Sequence, residues 1–271
     1  MKKLSFTYQT LYTFDNPIHD HHYTLKIYPR ENECQQIVSI TETLDFGDSY
    51  SYSTDSFGNK MVYGTIEAPH KRFYFDISGT ILTDSTKKDK DDQFLSLFRV
   101  ASSMTRVTAI LRDALEEATR EAEAFSCFHT ELHQMSDIQK ATYLSDYCHS
   151  LLSYTPNVTN VTTDASHALN MGMGVCQDYS HILIAMLRML HIPARYVVGF
   201  MLGEGYTHAW VEAFCDDHWV GLDPTNSKLV DEGYIKLSHG RDYMDTIVCK
   251  GHFYGQAKQQ QEIKVQVNET N

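Results

Sequence analysis

The sequence predicts an α+β fold in which an all-β module precedes a domain of mixed helices and strands. From Leu4 to about Leu82, apolar residues alternate with polar ones, a period of two that is typical of antiparallel strands with one buried face. After about residue 90 the apolar residues recur every three or four positions, which indicates amphipathic helices. Strand-like segments return after residue 193. We therefore expect a β-sandwich module over residues 1–90 and a second domain over residues 91–271.

The predicted N-terminal module consists of short strands separated by turn signals. Phe73, Phe75 and Ile77 alternate within one strand, and Asn16-Pro17 and residues 56–59 interrupt the pattern. The charged segment 85–93 contains no apolar residue, so we predict that it is a linker.

Three helices are predicted beyond the linker. The first follows Phe94, and the second follows Ser136, a residue type that caps helices. The third runs to about Leu190 and is apolar on nearly every side, so it should lie buried, and Pro193 ends it. Strands are then expected over residues 194–200, 208–215 and 218–223, with a further edge strand over 262–267.

Composition and charge exclude several classes of function. The chain carries a formal net charge of −12 and no visible basic patch, which argues against nucleic-acid binding. No apolar run approaches the ~18 residues of a membrane span, and the polar residues near the start argue against a secretory signal. Six cysteines without a CxxC pair fit reduced thiols. We expect a cytoplasmic protein that binds neither nucleic acids nor membranes.

Cys176 is the cysteine whose surroundings suggest chemistry. Gly172 and Gly174 allow a tight backbone approach just before it, which places the thiol at the first turn of the apolar helix. The unpaired N–H groups and the helix dipole at this position favour a thiolate and can hold an oxyanion. The alternative is a cysteine that serves only as packing material.

Strand pairing brings a histidine and an aspartate together. If residues 216–217 form a two-residue hairpin turn, Cys215 faces His218, and His208 becomes a diagonal neighbour of Asp223 on one face of the sheet. Their backbones would lie about 7–8 Å apart, a gap that imidazole and carboxylate can bridge. An odd-length loop would put the two on opposite faces unless a bulge corrected it. A surface histidine beside a helix-capping aspartate is then the alternative.

Four ordered motifs resemble those of the transglutaminase-like superfamily, whose fold and cysteine–histidine–aspartate triad are similar to those of papain-type enzymes. They are GMGVCQD, RYVVGF, HAWVE and WVGLDPTN. In addition, HYTLKIYPR, Gln35-Gln36 and residues 55–59 (DSFGN) resemble the β-sandwich module of a bacterial branch of this superfamily. The resemblance covers most of the chain except residues 94–134 and the tail past Gln256.

This resemblance implies a papain-like, transglutaminase-core fold in which a helix carrying Cys176 packs on an antiparallel sheet. It assigns Cys176 as the nucleophile, His208 as the general base and then acid, and Asp223 as the residue that fixes the imidazole tautomer. The Cys176 N–H would hold the oxyanion together with one side chain. Gln177 and Tyr154 are the candidates, although we favour a core aromatic role for Tyr154.

The implied chemistry is acyl transfer from a peptide or protein carboxamide. Water as the acceptor would make the protein a cysteine protease or amidase, whereas a lysine amine would make it a transglutaminase. Members of the superfamily do both, and we expect hydrolysis because bacterial relatives resemble hydrolases more often. A true transglutaminase and a catalytically silent peptide-binding module are the alternatives. No cofactor is implied, and the sequence specifies neither the substrate peptide nor the oligomeric state.

Residues outside the triad receive structural interpretations. Trp210 and Trp219 resemble aromatics that support the triad, and Arg241 with Asp242 resembles a buried ion pair or loop anchor. A zinc site built from the triad residues is a rival interpretation, but the short ligand spacing of zinc sites is missing. The histidine-rich residues 19–22 are expected to be solvated, since adjacent strand positions point to opposite faces. We therefore predict no metal.

Overall fold

The computed structural model describes residues 1–45, 50–125 and 132–270. The N-terminal strands are β1 (Lys2–Leu25), β2 (Gln35–Asp45), β3 (Tyr50–Thr54), β4 (Lys60–Ile66) and β5 (His70–Thr83). The middle of the chain contains α1 (Leu95–Phe98), α2 (Ala109–Phe125), a 3₁₀ turn (Leu132–Gln134), α3 (Asp137–Leu151), β6 (Ser153–Tyr154), α4 (Ala165–Met171), β7 (Met173–Gly174) and α5 (Cys176–Met189). The remaining elements are β8 (Ala194–Met201), β9 (Gly203–Gly205), β10 (His208–Cys215), β11 (His218–Asp223), β12 (Lys228–Leu229), β13 (Tyr234–Gly240), α6 (Tyr243–Thr246), β14 (Cys249–Tyr254) and β15 (Gln259–Glu269). Among the described residues, no helix has the length and apolar character that a membrane span requires.

Strand β1 runs through both halves of a curled antiparallel sheet. Its first half pairs with β5 and β15, and its second half, from residue 19 onward, pairs with β4 and β14. The ladder with β5 shifts register between Thr13 and Ile18, where the sequence has Asn16-Pro17, because proline cannot donate to a ladder. An apolar core contains residues from both halves, including Phe6 and Leu25. The predicted all-β module is confirmed.

The last strand joins the sheet that the start of the chain forms. Strand β15 pairs with β1 along its whole length, from Gln259 opposite Phe14 to Glu269 opposite Leu4. We predicted an edge strand here, but the short β9 pairs with β15 at residues 265–267, so that part lies inside the sheet. The alternation within the segment predicted a strand and could not reveal its two remote partners.

The second part of the chain forms a five-stranded antiparallel sheet in the order β12-β11-β10-β8-β13. Helix α5 packs on one face of it. Ala209, Val211 and Ala213 of β10 share a buried cluster with α5, so the alternate residues His208, Trp210 and Glu212 lie on the opposite face. A helix carrying Cys176 on an antiparallel sheet is therefore the observed arrangement, as predicted. The cap at Ser136 is also confirmed, since its side chain accepts a hydrogen bond from the Gln139 N–H.

The segment predicted to be a linker is held against this sheet. Asp89 is buried, and its carboxylate lies 2.7 Å from the Arg195 guanidinium on β8. The Trp219 N–H donates to the Asp89 carbonyl at 2.8 Å, and its indole N–H donates to the Asp91 carbonyl at 2.6 Å. The expectation of a free linker is wrong because Arg195 is 1% exposed and a buried guanidinium requires counter-charges.

Two side-chain amides of the N-terminal module bind the backbone of β13. Gln35 donates to the Lys236 carbonyl at 2.9 Å and accepts from the Lys236 N–H at 2.8 Å. Asn59 makes the same two-bond contact with the backbone of His239, at 2.8 and 2.9 Å. The ladder between β13 and β8 shifts register at residues 236–238, between these two contacts. The amides therefore satisfy backbone groups on the side of β13 that faces the module.

Candidate active site

Cys176 lies at the N-terminus of helix α5, where several contacts fix the preceding turn. Gly172 adopts φ 65°, a left-handed conformation that ends α4 and that glycine adopts without strain. Asp178 accepts hydrogen bonds from the Val175 N–H at 2.8 Å and from Thr159 Oγ1 at 2.7 Å. A Cβ on Gly174 would lie 2.6 Å from the Asp178 carboxylate, so this position also requires glycine. These contacts fix the turn that enters the helix.

Cys176 is half-buried and therefore accessible to solvent, while the helix behind it is buried. Cys176 and Gln177 are the first two residues of α5, and the N–H groups of a first turn have no acceptor within the helix. They point along the helix axis, away from the body of α5. The terminus can thus stabilise negative charge on both the sulfur and an oxyanion.

His208 and Asp223 meet across the hairpin as the register predicted. Asp216 and Asp217 both have positive φ, 49° and 62°, which is the geometry of a type I′ turn. Cys215 pairs with His218, and the β10–β11 ladder continues in this register to Val211 opposite Leu222. The two side chains then close the diagonal gap, with His208 Nε2 2.7 Å from Asp223 Oδ2.

The Asp223 carboxylate is fully buried and has many hydrogen-bond donors. Besides His208, it accepts from the Tyr234 hydroxyl and the Asn226 side-chain amide, each at 2.7 Å. The backbone N–H groups of Thr225 and Asn226 donate to its other oxygen at 3.0 and 3.2 Å. Burial alone would raise the pKa of Asp223, but these donors, led by His208, hold it below its ordinary value. The group therefore stays an anion beside the imidazole.

His208 lies between this carboxylate and the thiol. Burial lowers its pKa, but side-chain hydrogen bonds with Asp223 and Cys176 outweigh that effect and raise it to about 9. Because Asp223 holds Nε2, Nδ1 is the nitrogen left for the sulfur. A protonated His208 beside Cys176 stabilises a thiolate, and the same proton is in place to protonate a leaving amine.

The raised pKa of His208 predicts a specific pH dependence of stability. The folded-state pKa of about 9 lies above the ordinary value of 6.5, so the contribution of His208 is complete below about pH 6.5 and is lost as the pH rises through 9. We expect the free energy of unfolding to fall more steeply between pH 6.5 and 9.5 in the wild type than in His208→Gln. Urea unfolding at several pH values measures both slopes, and equal slopes would contradict the prediction.

Four residues with predicted roles near the triad are placed differently from one another. Gln177 is half-buried in the first turn of α5. Tyr154 is 57% exposed and pairs with Gly174 in a small parallel sheet, so the core aromatic interpretation is wrong. Partial burial, with a smaller electrostatic contribution from Cys176, raises the pKa of Tyr154. Trp210 stacks on His208 with ring centroids 6.5 Å apart, whereas Trp219 stacks on Arg195.

Arg241 and Asp242 do not form the buried ion pair that was one of two interpretations. Arg241 binds Asp245, at 2.8 and 3.0 Å, and its side chain is 43% exposed. Asp242 is buried and caps α6, because its carboxylate accepts from the Met244 N–H at 2.8 Å. The role of Asp242 as a loop anchor fits this contact.

Sequence reasoning missed Tyr234 and the role of Asn226. Asn226 follows Asp223 by three residues, a spacing at which a side chain can bond back across a tight turn, so this contact had a local signal. Tyr234 lies on β13, two strands from β10 in the sheet, and nothing in its own segment indicates a contact with Asp223. Among the described residues, no group of three or more His, Cys, Asp or Glu side chains is arranged to hold a metal ion.

Comparisons with known proteins identify the family that the chain matches. Residues 128–224 match the transglutaminase-like superfamily, and residues 4–81 match the bacterial transglutaminase-like N-terminal region. An uncharacterized protein of Mycobacterium leprae is 27% identical, with 98% of this chain and 99% of that protein covered. An uncharacterized protein of Mycobacterium tuberculosis is 27% identical over 92% of this chain and 86% of its own length. The solved structure of a candidate cysteine protease from Cytophaga hutchinsonii has a TM-score of 0.78 and 21% identity, covering 100% of this chain and 91% of that one. That likeness shows the shared fold.

Proposed function

Because the chain belongs to the transglutaminase-like superfamily and has its bacterial N-terminal region, we propose that it is an acyl-transfer enzyme that attacks peptide or protein carboxamides through Cys176, His208 and Asp223. The observation that carries the proposal is the contact of His208 with Asp223 at 2.7 Å, together with a pKa of His208 that Asp223 and Cys176 raise to about 9. A nucleophile, a base and a group that orients the base are the parts that such chemistry needs.

The first half of the reaction forms a thioester. The Cys176 thiolate attacks the carboxamide carbon, and the carbonyl oxygen becomes an oxyanion near the first-turn N–H groups of α5. The carbon–nitrogen bond then breaks, and the nitrogen leaves as ammonia or an amine with the proton from His208. Asp223 keeps Nε2 protonated, so the proton that moves is the one on the nitrogen that faces the sulfur.

The second half regenerates the thiol. An acceptor attacks the thioester carbon and gives its proton to His208, and the sulfur departs as the thiolate. We propose water as the acceptor, and hence a cysteine protease or amidase, which the likeness to the candidate cysteine protease from Cytophaga hutchinsonii supports. Transfer to a primary amine follows the same steps and is the second candidate, since an accessible Cys176 admits either acceptor.

An acceptor competition tests the proposal. The full chain is incubated with a library of glutamine-containing peptides, with and without methylamine, and the products are identified by mass. Cleaved or deamidated peptides whose yield does not depend on methylamine would support hydrolysis. Peptides that carry methylamine would identify a transglutaminase and contradict the hydrolytic assignment.

Thiol labelling separates an enzyme from a silent binding module. We expect iodoacetamide to modify Cys176 near neutral pH much faster than Cys148, because burial raises the pKa of the Cys148 thiol while His208 stabilises a thiolate at Cys176. Cys127 lies outside the described residues. Equal and slow modification of Cys176 and Cys148 would indicate the silent module.

A peptide or protein substrate is the partner that this proposal requires, and we propose a reducing compartment, the cytoplasm, as the place where it acts. The five cysteines in the described part of the chain are free thiols, which is the state that a reducing compartment maintains.

A further inference from the structure

A cavity lies on the face of the five-stranded sheet that is opposite α5. It has a volume of about 440 Å³, within the range of small-molecule sites. Trp210, Glu212, Trp219, Tyr234 and Lys236 form its sheet side, and residues 83–89 and 229–232 form its rim. The cavity therefore occupies the crevice between the N-terminal module and the second sheet, and Cys176 is not part of it.

The carboxylates around this cavity already have partners within the chain. Arg195 and Lys236 bind Glu212 at 2.5 and 2.6 Å, and Arg195 also binds Asp89 at 2.7 Å. Backbone or hydroxyl donors of the chain bind the other three lining carboxylates, Asp84, Asp231 and Glu232. All five lining carboxylates thus accept at least one hydrogen bond from the protein.

Two buried donors at the cavity retain unused hydrogen-bonding capacity. The Lys236 ammonium is 5% exposed and donates to Glu212, which uses one of its three N–H groups. The Trp210 indole N–H is buried, and within the described structure it has no hydrogen-bond partner. Lys87 and Lys88 add two exposed ammonium groups at the rim. A buried donor without an acceptor is costly, so a ligand that accepts from these groups would gain free energy.

The rest of the lining is apolar or aromatic. Trp219 and Tyr234 are at most 6% exposed, and Val230 and Leu229 border the opening. We propose that this cavity binds a small organic acid, with its carboxylate on the ammonium of Lys236 and its apolar or aromatic body against the tryptophan and tyrosine rings. None of Cys176, His208 and Asp223 lines the cavity, so the proposal does not depend on the acyl-transfer assignment.

The position of the cavity links it to the triad. Trp210 lines the cavity and stacks on His208, and Tyr234 lines it and donates to Asp223. The bound acid would therefore contact two residues that touch His208 and Asp223, without contacting Cys176.

Intrinsic fluorescence tests this proposal directly, because the chain has two tryptophans and both line the cavity. The probes are phenylacetate, 2-phenylethanol and 2-phenylethylamine, which share a ring and differ in charge. We expect phenylacetate to give a saturable change with a dissociation constant of about 1 mM or lower. The alcohol and the amine should bind at least about tenfold more weakly, the loss expected for a charge-assisted hydrogen bond. Equal responses to all three probes, or no saturable response to phenylacetate, would overturn the proposal.

Variants locate the response. Lys236→Met should abolish it, and because Lys236 belongs to a buried ionic network, Leu229→Glu serves as a second variant. Leu229 is 50% exposed at the rim, so a glutamate there should fold and repel the acid, raising the dissociation constant at least about fivefold. Val38→Glu, at a position 54% exposed on β2, makes the same change outside the cavity and should have no effect. Equal affinities of Leu229→Glu and Val38→Glu would refute the assignment.

Alkylation of Cys176 tests whether phenylacetate binds in the cavity or at Cys176. After Cys176 is alkylated with iodoacetamide, phenylacetate should bind with an unchanged dissociation constant, because the cavity does not contain Cys176. Because Cys34 lines the cavity, mass analysis must first show that it is unmodified. Loss of the fluorescence response in that protein would then place the probe at Cys176 and overturn the proposal.

Discussion

Cys176→Ala should lower turnover of any carboxamide substrate by about 10⁶-fold, the scale of losing the nucleophile of a catalytic triad. The variant should fold, because the side chain is half-buried at the start of α5 and alanine favours helices. The measurement is product formation by mass, with the wild type and the variant at equal concentration. His208 should also lose its hydrogen bond with the thiol, and its pKa should fall from about 9.

Cys34→Ala is the matched control for this substitution. Cys34 is also a half-buried free thiol, but it lies in the N-terminal module, and burial raises its pKa to about 11. Its removal should leave turnover unchanged. Activity retained in Cys176→Ala, or lost equally in Cys34→Ala, would exclude Cys176 as the nucleophile.

Asp223→Asn should lower kcat by about 10⁴-fold, the loss seen when the orienting aspartate of a triad becomes an amide. The carboxylate now accepts the proton of His208 Nε2 at 2.7 Å, which leaves Nδ1 for the sulfur. The backbone N–H groups of Thr225 and Asn226 donate to Oδ1, whereas His208 contacts Oδ2. An asparagine that keeps its oxygen on the two backbone donors would therefore present its NH₂ group to the histidine. The imidazole would then adopt the wrong tautomer.

The control for Asp223→Asn is Asp216→Asn in the same hairpin. Asp216 has φ 49°, a left-handed conformation that asparagine tolerates well, so the control should fold and keep its activity. Iodoacetamide labelling gives a second measurement: we expect slower modification of Cys176 in Asp223→Asn, since a less basic His208 stabilises the thiolate poorly. Unchanged labelling and unchanged kcat would show that Asp223 has no part in orienting His208.

The contact between His208 and Asp223 could be predicted from the sequence because each step is local. The two strands are adjacent in the chain, and the two-residue turn fixes their register. A period of two then decides which side chains share a face. The entry to α5 was predictable for the same reason, since the glycines and the cysteine lie within five residues of one another.

Apart from the contact of Asn226 with Asp223, the contacts missed by sequence reasoning join distant segments. Tyr234 reaches Asp223 from a strand on the other side of β8, and Asp89 reaches Arg195 across 106 residues. The charged segment around Asp89 has the composition of a linker, and its burial depends on a guanidinium in another element. Local composition carries no information on such a partner, because the requirement arises only when the sheet has formed.

The amides of Gln35 and Asn59 have a consequence for how this protein can be divided. Strand β13 is an edge strand of the five-stranded sheet. An exposed edge strand can pair with strands of other chains, which leads to aggregation. Here the side-chain amides of Gln35 and Asn59 form hydrogen bonds with backbone groups of β13 that a neighbouring strand would otherwise pair. If the five-stranded sheet were separated from the N-terminal module, the unpaired backbone groups of β13 would be exposed and could promote aggregation. A chimera that exchanges modules between relatives would therefore have to carry matching amides with it.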